Sequence, residues 1–226
     1  MFVFVAVLLI AALVGLVFFY TFNYYRRIRS GQVNIAPIYT GNFTPTGAAG
    51  AATLKKFQDL IGSDSPSLGA ISPKITIVEF GDFECPFTKQ VYSIVRSLVA
   101  ENSAVRLIWR DYPLEEINPH SRLAAIAASC AEASGRFWQM QDKLFANQNA
   151  LEREDLIDYA GQIGLDKNDF RKCFDDGGNG ARIARDIALG KQAGVRGTPT
   201  FFINGMRIEG AAPYELFKKI IEQLSK

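Results

Sequence analysis

Val78-Glu79-Phe80-Gly81-Asp82-Phe83-Glu84-Cys85-Pro86-Phe87-Thr88 is the stretch on which the fold turns. The apolar run 75–80 is short, β-branched and bounded by Pro73 and Gly81, so it reads as a buried strand. It breaks at Gly81 and restarts as a helix whose first turn carries Cys85, Pro86 and Phe87. Pro86 suits that place, because a first-turn proline gives up only an N–H that has no helical partner. A helix N-terminus presents unpaired N–H groups and a partial positive charge, which stabilise a thiolate set beside them. The arrangement is therefore suited to a nucleophilic sulfur. Thr88 stands where a dithiol redox motif would carry its second cysteine.

Working outward, the helix from Pro86 places Val91, Ile94, Val95, Leu98 and Val99 on one face and ends near Asn102. Residues 105–110, Val-Arg-Leu-Ile-Trp-Arg, form a second strand. Strand, helix and strand within this span make a βαβ unit, which implies parallel strands joined by a right-handed crossover. Residues 119–194 then read as helical throughout, in four or five pieces. They hold an alanine-rich run after His120, an aromatic run with Phe137, Trp138, Met140, Leu144 and Phe145, and a start at Asp166 or Asn168. The β pattern resumes at 200–203 and 206–208, flanking Asn204-Gly205, a pair suited to the positive φ angles of a tight hairpin. Pro213 opens a last helix with Leu216, Phe217, Ile220, Ile221 and Leu224 inward.

The chain has 226 residues, room for one domain and an extra piece. Residues 1–22 hold no charge and are followed by Tyr24, Tyr25, Arg26, Arg27 and Arg29. Such a run spans ~30 Å of hydrocarbon with tyrosines at the interface, so residues 1–25 are expected to be a transmembrane anchor. A cleaved signal peptide is the competing reading, disfavoured by the length of the run and the lack of a small-x-small cleavage site. Residues 26–72 are rich in Gly, Ala, Thr, Ser and Pro and read as a linker. Within it Leu54, Phe57, Leu60 and Ile61 have the spacing of a short helix able to dock on the domain. The domain proper occupies 73–226.

With 25 basic against 23 acidic residues, and no basic cluster interleaved with aromatics, the chain has no bias towards nucleic acid. Its single histidine and three scattered cysteines offer no metal-ligand spacing, and no cofactor is implied.

The order β-α-β, helical block, β-β-α resembles the thioredoxin fold interrupted by a helical domain. More narrowly, the chain resembles the DsbA-like family of thiol–disulfide oxidoreductases. The residues carrying this are the run from Ile77 to Phe87, then Asn118-Pro119-His120, Cys130-Ala131, Gly135-Arg136-Phe137-Trp138, Leu144-Phe145, and Gly194-Val195-Arg196-Gly197-Thr198-Pro199. The fold class expected is α/β, a thioredoxin-like fold with a helical insertion at about 114–194, preceded by the anchor. The resemblance implies that Pro199 is a cis proline beside Cys85 and that Thr198 offers its backbone to an incoming peptide. Together with Pro86 and Phe87 these are the candidate substrate-binding residues. It also implies that Glu79 is a buried acid relaying protons near the sulfur; an exposed strand-end carboxylate is the plainer alternative. Some family members carry a second, non-catalytic disulfide in the helical block, so Cys130 and Cys173 are read as a structural pair or as two small apolar residues.

Without a second thiol, Cys85 can form a mixed disulfide but cannot release it internally. The catalytic set is then Cys85 with Glu79 and Thr88, whose hydroxyl either donates to the thiolate or merely packs. His120 reads as a residue at the start of the helical block, and Trp109 and Trp138 as core. Two functions remain. One is a membrane-anchored exchange protein, reductase- or isomerase-like rather than a dithiol oxidase. Arg26, Arg27 and Arg29 would place the side after the span in the cytoplasm, but the thiol chemistry points to the opposite side, so it is expected to face an extracytoplasmic space and act on cysteine-containing clients with a small thiol or membrane redox partner. The other is a client-binding or chaperone module that has lost redox turnover.

Overall fold

The computed structural model describes residues 57–62 and 64–225. The anchor expected at 1–25 and most of the linker, Leu54 included, lie outside them. Among the described residues no helix is long and apolar enough to cross a membrane.

A five-stranded sheet has the order β1-β3-β2-β4-β5. Its strands are β1 (Ser67–Gly69), β2 (Ile75–Gly81), β3 (Val105–Asp111), β4 (Thr200–Ile203) and β5 (Met206–Glu209). β2 and β3 run parallel, joined by α1 (Pro86–Glu101). The pairs β1–β3, β2–β4 and β4–β5 are antiparallel. Between β3 and β4 lie α2 (Ser121–Glu132), α3 (Phe137–Ala146), α4 (Arg153–Gln162), α5 (Lys167–Asp175) and α6 (Gly180–Gln192), and α7 (Tyr214–Leu224) closes the chain. Asn204 and Gly205 turn the β4–β5 hairpin with φ of 46° and 90°. Asp166 caps α5, accepting from the N–H groups of Asn168 and Asp169.

β2 is buried along its whole length, so both sheet faces must be covered, and each has its own apolar set. Ile75 and Ile77 pack with Val91, Val95 and Leu98 of α1 and with Phe217, Ile220 and Ile221 of α7. Val78 and Phe80 point the other way, onto Ile108, Tyr112, Val195 and Phe202. Helices α2 to α6 enclose a third core, into which Trp109 reaches from β3 and Phe83 from the turn after β2.

The linker reading of 26–72 needs correction at its end. Residues 67–69 join the sheet, with Ser67 opposite Ile108 and Gly69 opposite Arg106. Residues 57–60 are helical, and Phe57 and Leu60 are buried against Val78, Phe80 and Ile108. A second tie is polar: the buried Arg110 donates from Nε and Nη2 to the Leu60 carbonyl, at 3.1 and 2.9 Å. Its Nη1 reaches Asp186 at 2.6 Å. What composition marks as spacer is therefore stitched to the domain from residue 57 onward.

Candidate active site around Cys85

Gly81 is the last residue of β2, and a side chain has no room there: a Cβ would lie 2.2 Å from the Trp109 indole. The chain then turns through Asp82, Phe83 and Glu84, and each of the three is anchored. Asp82 Oδ1 accepts from the Glu84 N–H at 2.9 Å, and Oδ2 accepts from the Leu114 N–H and Asn118 Nδ2 at 3.0 and 2.8 Å. Burial nevertheless raises the Asp82 carboxyl above its ordinary value, the bond from Asn118 opposing it. Phe83 stacks on Trp109 with centroids 4.8 Å apart and meets Phe137 and Phe145. Glu84 accepts from the His120 backbone N–H at 2.7 Å and pairs with its Nδ1 at 3.0 Å. The other ring nitrogen of His120 meets Glu152 at 3.1 Å. The Glu84 bond is the main cause raising His120 above its ordinary value. His120 thus stands at the start of α2, as its sequence position suggests, and also holds the loop that precedes the cysteine.

Cys85 is the N-cap residue of α1, and Pro86 begins the helix. The thiol is only 5% exposed and donates to the Thr198 carbonyl at 3.2 Å. The Thr198–Pro199 peptide is cis. Thr198 and Pro199 are buried, whereas Pro86 and Phe87 are exposed, Phe87 at 59%. The structure thus gathers Cys85, Pro86, Phe87, Thr198 and Pro199 at one place, two loops meeting at one sulfur. Cys130 and Cys173 are joined to each other elsewhere, between α2 and α5, and Cys85 is the free thiol among the described residues.

Thr88 and Glu79 lie on the inner side. Thr88 falls three residues after Cys85 and shares the buried α1 face of Val91 and Val95, so its side chain turns into the core. Its Oγ1 has no hydrogen-bond partner. Of the two readings of Thr88, donation to the Cys85 sulfur and plain packing, the second describes its buried, unpartnered hydroxyl. Glu79 is not a strand-end carboxylate exposed to water; it is 1% exposed, between Trp109 on β3 and Phe201 on β4. Its Oε1 has no partner, and burial pushes the carboxyl up to about 8. Unpartnered polar groups are costly to bury in an apolar layer, and Glu79 and Thr88 share this condition with other described residues, Ser121, Gln141 and Thr198 among them.

Sequence reading missed Gln148, which follows α3. Its Nε2 donates to the Phe83 carbonyl at 2.7 Å and to the Cys85 carbonyl at 3.0 Å. A glutamine in a polar loop carries no distinguishing signal. Also missed was the buried charge cluster in which Arg182 meets Asp111 at 3.0 Å and Glu132 at 3.3 Å, beside the Arg110–Asp186 pair. Burial pushes Asp111 up to about 7 against the lowering effect of Arg182. Among the described residues no His, Cys, Asp or Glu groups gather as a metal site.

The thioredoxin family matches residues 63–223, and the chain belongs to it. Its architecture is the DsbA-like form of that fold. The thiol–disulfide exchange protein alpha-DsbA2 of Wolbachia pipientis superposes with a TM-score of 0.70 at 21% identity, over 76% of this chain and 94% of that one. The catalytic domain of Proteus mirabilis ScsC gives 0.67 at 23%, over 77% and 98%. Pseudomonas aeruginosa DsbA2 gives 0.60 at 26%, over 73% and 96%. Among curated relatives, the Na(+)/H(+) antiporter NhaA 3 of Salinispora tropica is 42% identical over 142 residues, 63% of this chain and 22% of that protein. The chain spans about a fifth to a quarter of the length of the curated relatives it matches.

Proposed function

We propose that this protein is a membrane-anchored thiol–disulfide exchange protein acting through the single nucleophile Cys85. The observation that carries the reading is the meeting of the Cys85 sulfur with the Thr198 carbonyl at 3.2 Å, while the buried Thr88 takes the place of a second thiol. In the reaction the Cys85 thiolate attacks one sulfur of a client disulfide. A Cys85–client disulfide forms and the other client sulfur leaves as a thiolate. A second thiol, from the client or from a small molecule, then attacks, and Cys85 leaves as thiolate with its electron pair. Attack on the client sulfur by the client's own thiol is isomerisation; two small thiols in succession give reduction.

Thr198 presents backbone to the client segment, and exposed Phe87 offers it an apolar contact. Glu79, near neutral pH an acid with its proton, serves as the proton store beneath the site. Residues 1–25 anchor the domain, which faces an extracytoplasmic space where disulfides persist.

A non-catalytic client-binding module is the second reading, favoured by the low exposure of Cys85. Comparison of wild type with Cys85→Ser in a disulfide-isomerisation assay separates the two. Exchange should fall to the uncatalysed rate in the variant, and full retention of activity would remove Cys85 from its role.

A further inference from the structure

A cavity of about 490 Å³ opens beside the active-site loops, within the ~300–1,000 Å³ range of small-molecule sites. One wall is the segment after β3, including Tyr112, Leu114 and Glu116; the other is the end of α6 and the loop beyond it, including Ile187, Lys191 and Arg196. Both walls are fixed to the site. Leu114 is held by Asp82, and the Tyr112 hydroxyl donates to the Val195 carbonyl at 3.1 Å. Arg196 stands two residues before Thr198. With Cα atoms 3.8 Å apart along the chain and the Thr198 carbonyl 3.2 Å from the sulfur, the Arg196 Cα lies at most about 13 Å from Cys85 Sγ. A tripeptide spans ~10 Å when extended, the same order as this upper bound.

The charges of this cavity are divided. The Lys191 and Glu116 side chains have no ion-pair or hydrogen-bond partner among the described residues, and Arg196 has only an exposed contact of 3.5 Å with Glu209. Lys191 and Arg196 thus line the wall that runs on to Thr198, while the wall opposite carries Glu116 and also Glu115, the latter paired with Arg122 at 3.3 Å, and Leu114 and Ile187 add an apolar residue to each wall. A ligand that fits carries carboxylate and ammonium groups on a short body. The chemistry asks for such a ligand independently, since a mixed disulfide on Cys85 has no second active-site thiol to release it.

We propose that this cavity binds a low-molecular-weight, peptide-derived thiol, its carboxylate on Lys191 and Arg196 and its ammonium towards Glu116, as the resolving co-substrate of Cys85. The small thiolate attacks the client sulfur of the Cys85–client disulfide, Cys85 leaves as thiolate with its electron pair, and a second small thiol then frees the client thiol as the small-molecule disulfide forms. The inference rests on the one-thiol reading above for its chemistry, but not for the binding site itself.

The test uses the full-length chain and glutathione as probe. Release of a peptide held on Cys85 is followed with glutathione and, separately, with uncharged 2-mercaptoethanol, in wild type and in Lys191→Ala/Arg196→Ala. Losing two charge-assisted contacts should slow release by glutathione about tenfold and leave the 2-mercaptoethanol rate unchanged. Equal rates in both proteins with glutathione, or equal losses with both thiols, would overturn the proposal. Binding of S-methylglutathione to Cys85→Ser reads the cavity without exchange chemistry. Saturable binding lost in the double variant supports the site even if Cys85 proves inert, and absence of binding counts against it even if Cys85 exchanges normally.

Discussion

Replacing Glu79 with Gln should remove most of a pH dependence that burial imposes on this fold. The carboxyl is 1% exposed and its Oε1 has no partner, so desolvation raises it from 4.5 to about 8. Its folded value lies above its unfolded one. Between the two, the folded chain holds a proton that the unfolded chain has released, so stability falls as pH rises through that window and levels off above it. At about 1.4 kcal/mol per pH unit, the window corresponds to a loss of about 3–5 kcal/mol. Glutamine keeps the shape and is neutral at every pH. The two proteins should therefore be of similar stability near pH 4.5, with Glu79→Gln the more stable by about 3 kcal/mol or more above pH 8. Urea unfolding across this range, followed by tryptophan fluorescence, measures it, because both tryptophans, Trp109 and Trp138, lie in the domain. Asp111, pushed up to about 7, adds a slope of the same sign, so the difference between the two proteins is the quantity to read. A difference that stays constant across the range would refute the reasoning, because Glu79 would then ionise alike in both states.

Two further outcomes are expected. Gln148→Ala removes the bonds to the Phe83 and Cys85 carbonyls, the latter still accepting from the Lys89 N–H at 3.1 Å, which should lower stability by about 1–2 kcal/mol and slow exchange at Cys85; stability and rate both unchanged would remove Gln148 from the site. Thr88→Cys puts a second thiol into the same buried helical turn. After oxidation by glutathione disulfide both thiols should resist maleimide labelling together, whereas independent labelling would show that the two side chains do not meet.

Much of the fold is written locally. The run from Ile75 to Phe80, the inward face of α1 and the Asn204–Gly205 turn each carry a period or a backbone demand visible within a few residues. β1 does not, since Ser67-Leu68-Gly69 has no alternation, and only its pairing with β3 makes it a strand. The site divides the same way. Cys85, Pro86 and Thr88 follow from the strand-to-helix turn, while Thr198 and Pro199 enter through resemblance. Gln148, and the tie of Arg110 to Leu60 and Asp186, join residues 50 to 76 positions apart, and nothing in their own neighbourhoods marks them. Direction matters as well as position. Thr88 is legible as the missing thiol, but that its hydroxyl is buried without a partner comes from the helix face it occupies.

The central claim, one sulfur and no internal release, can be weighed directly. The full-length chain is mixed with a peptide disulfide and its mass is followed over time. The account predicts a one-to-one adduct on Cys85 that persists until an external thiol is added and does not form in Cys85→Ser. An adduct that releases itself without added thiol, leaving Cys85 in a disulfide with another cysteine of the chain, would contradict it.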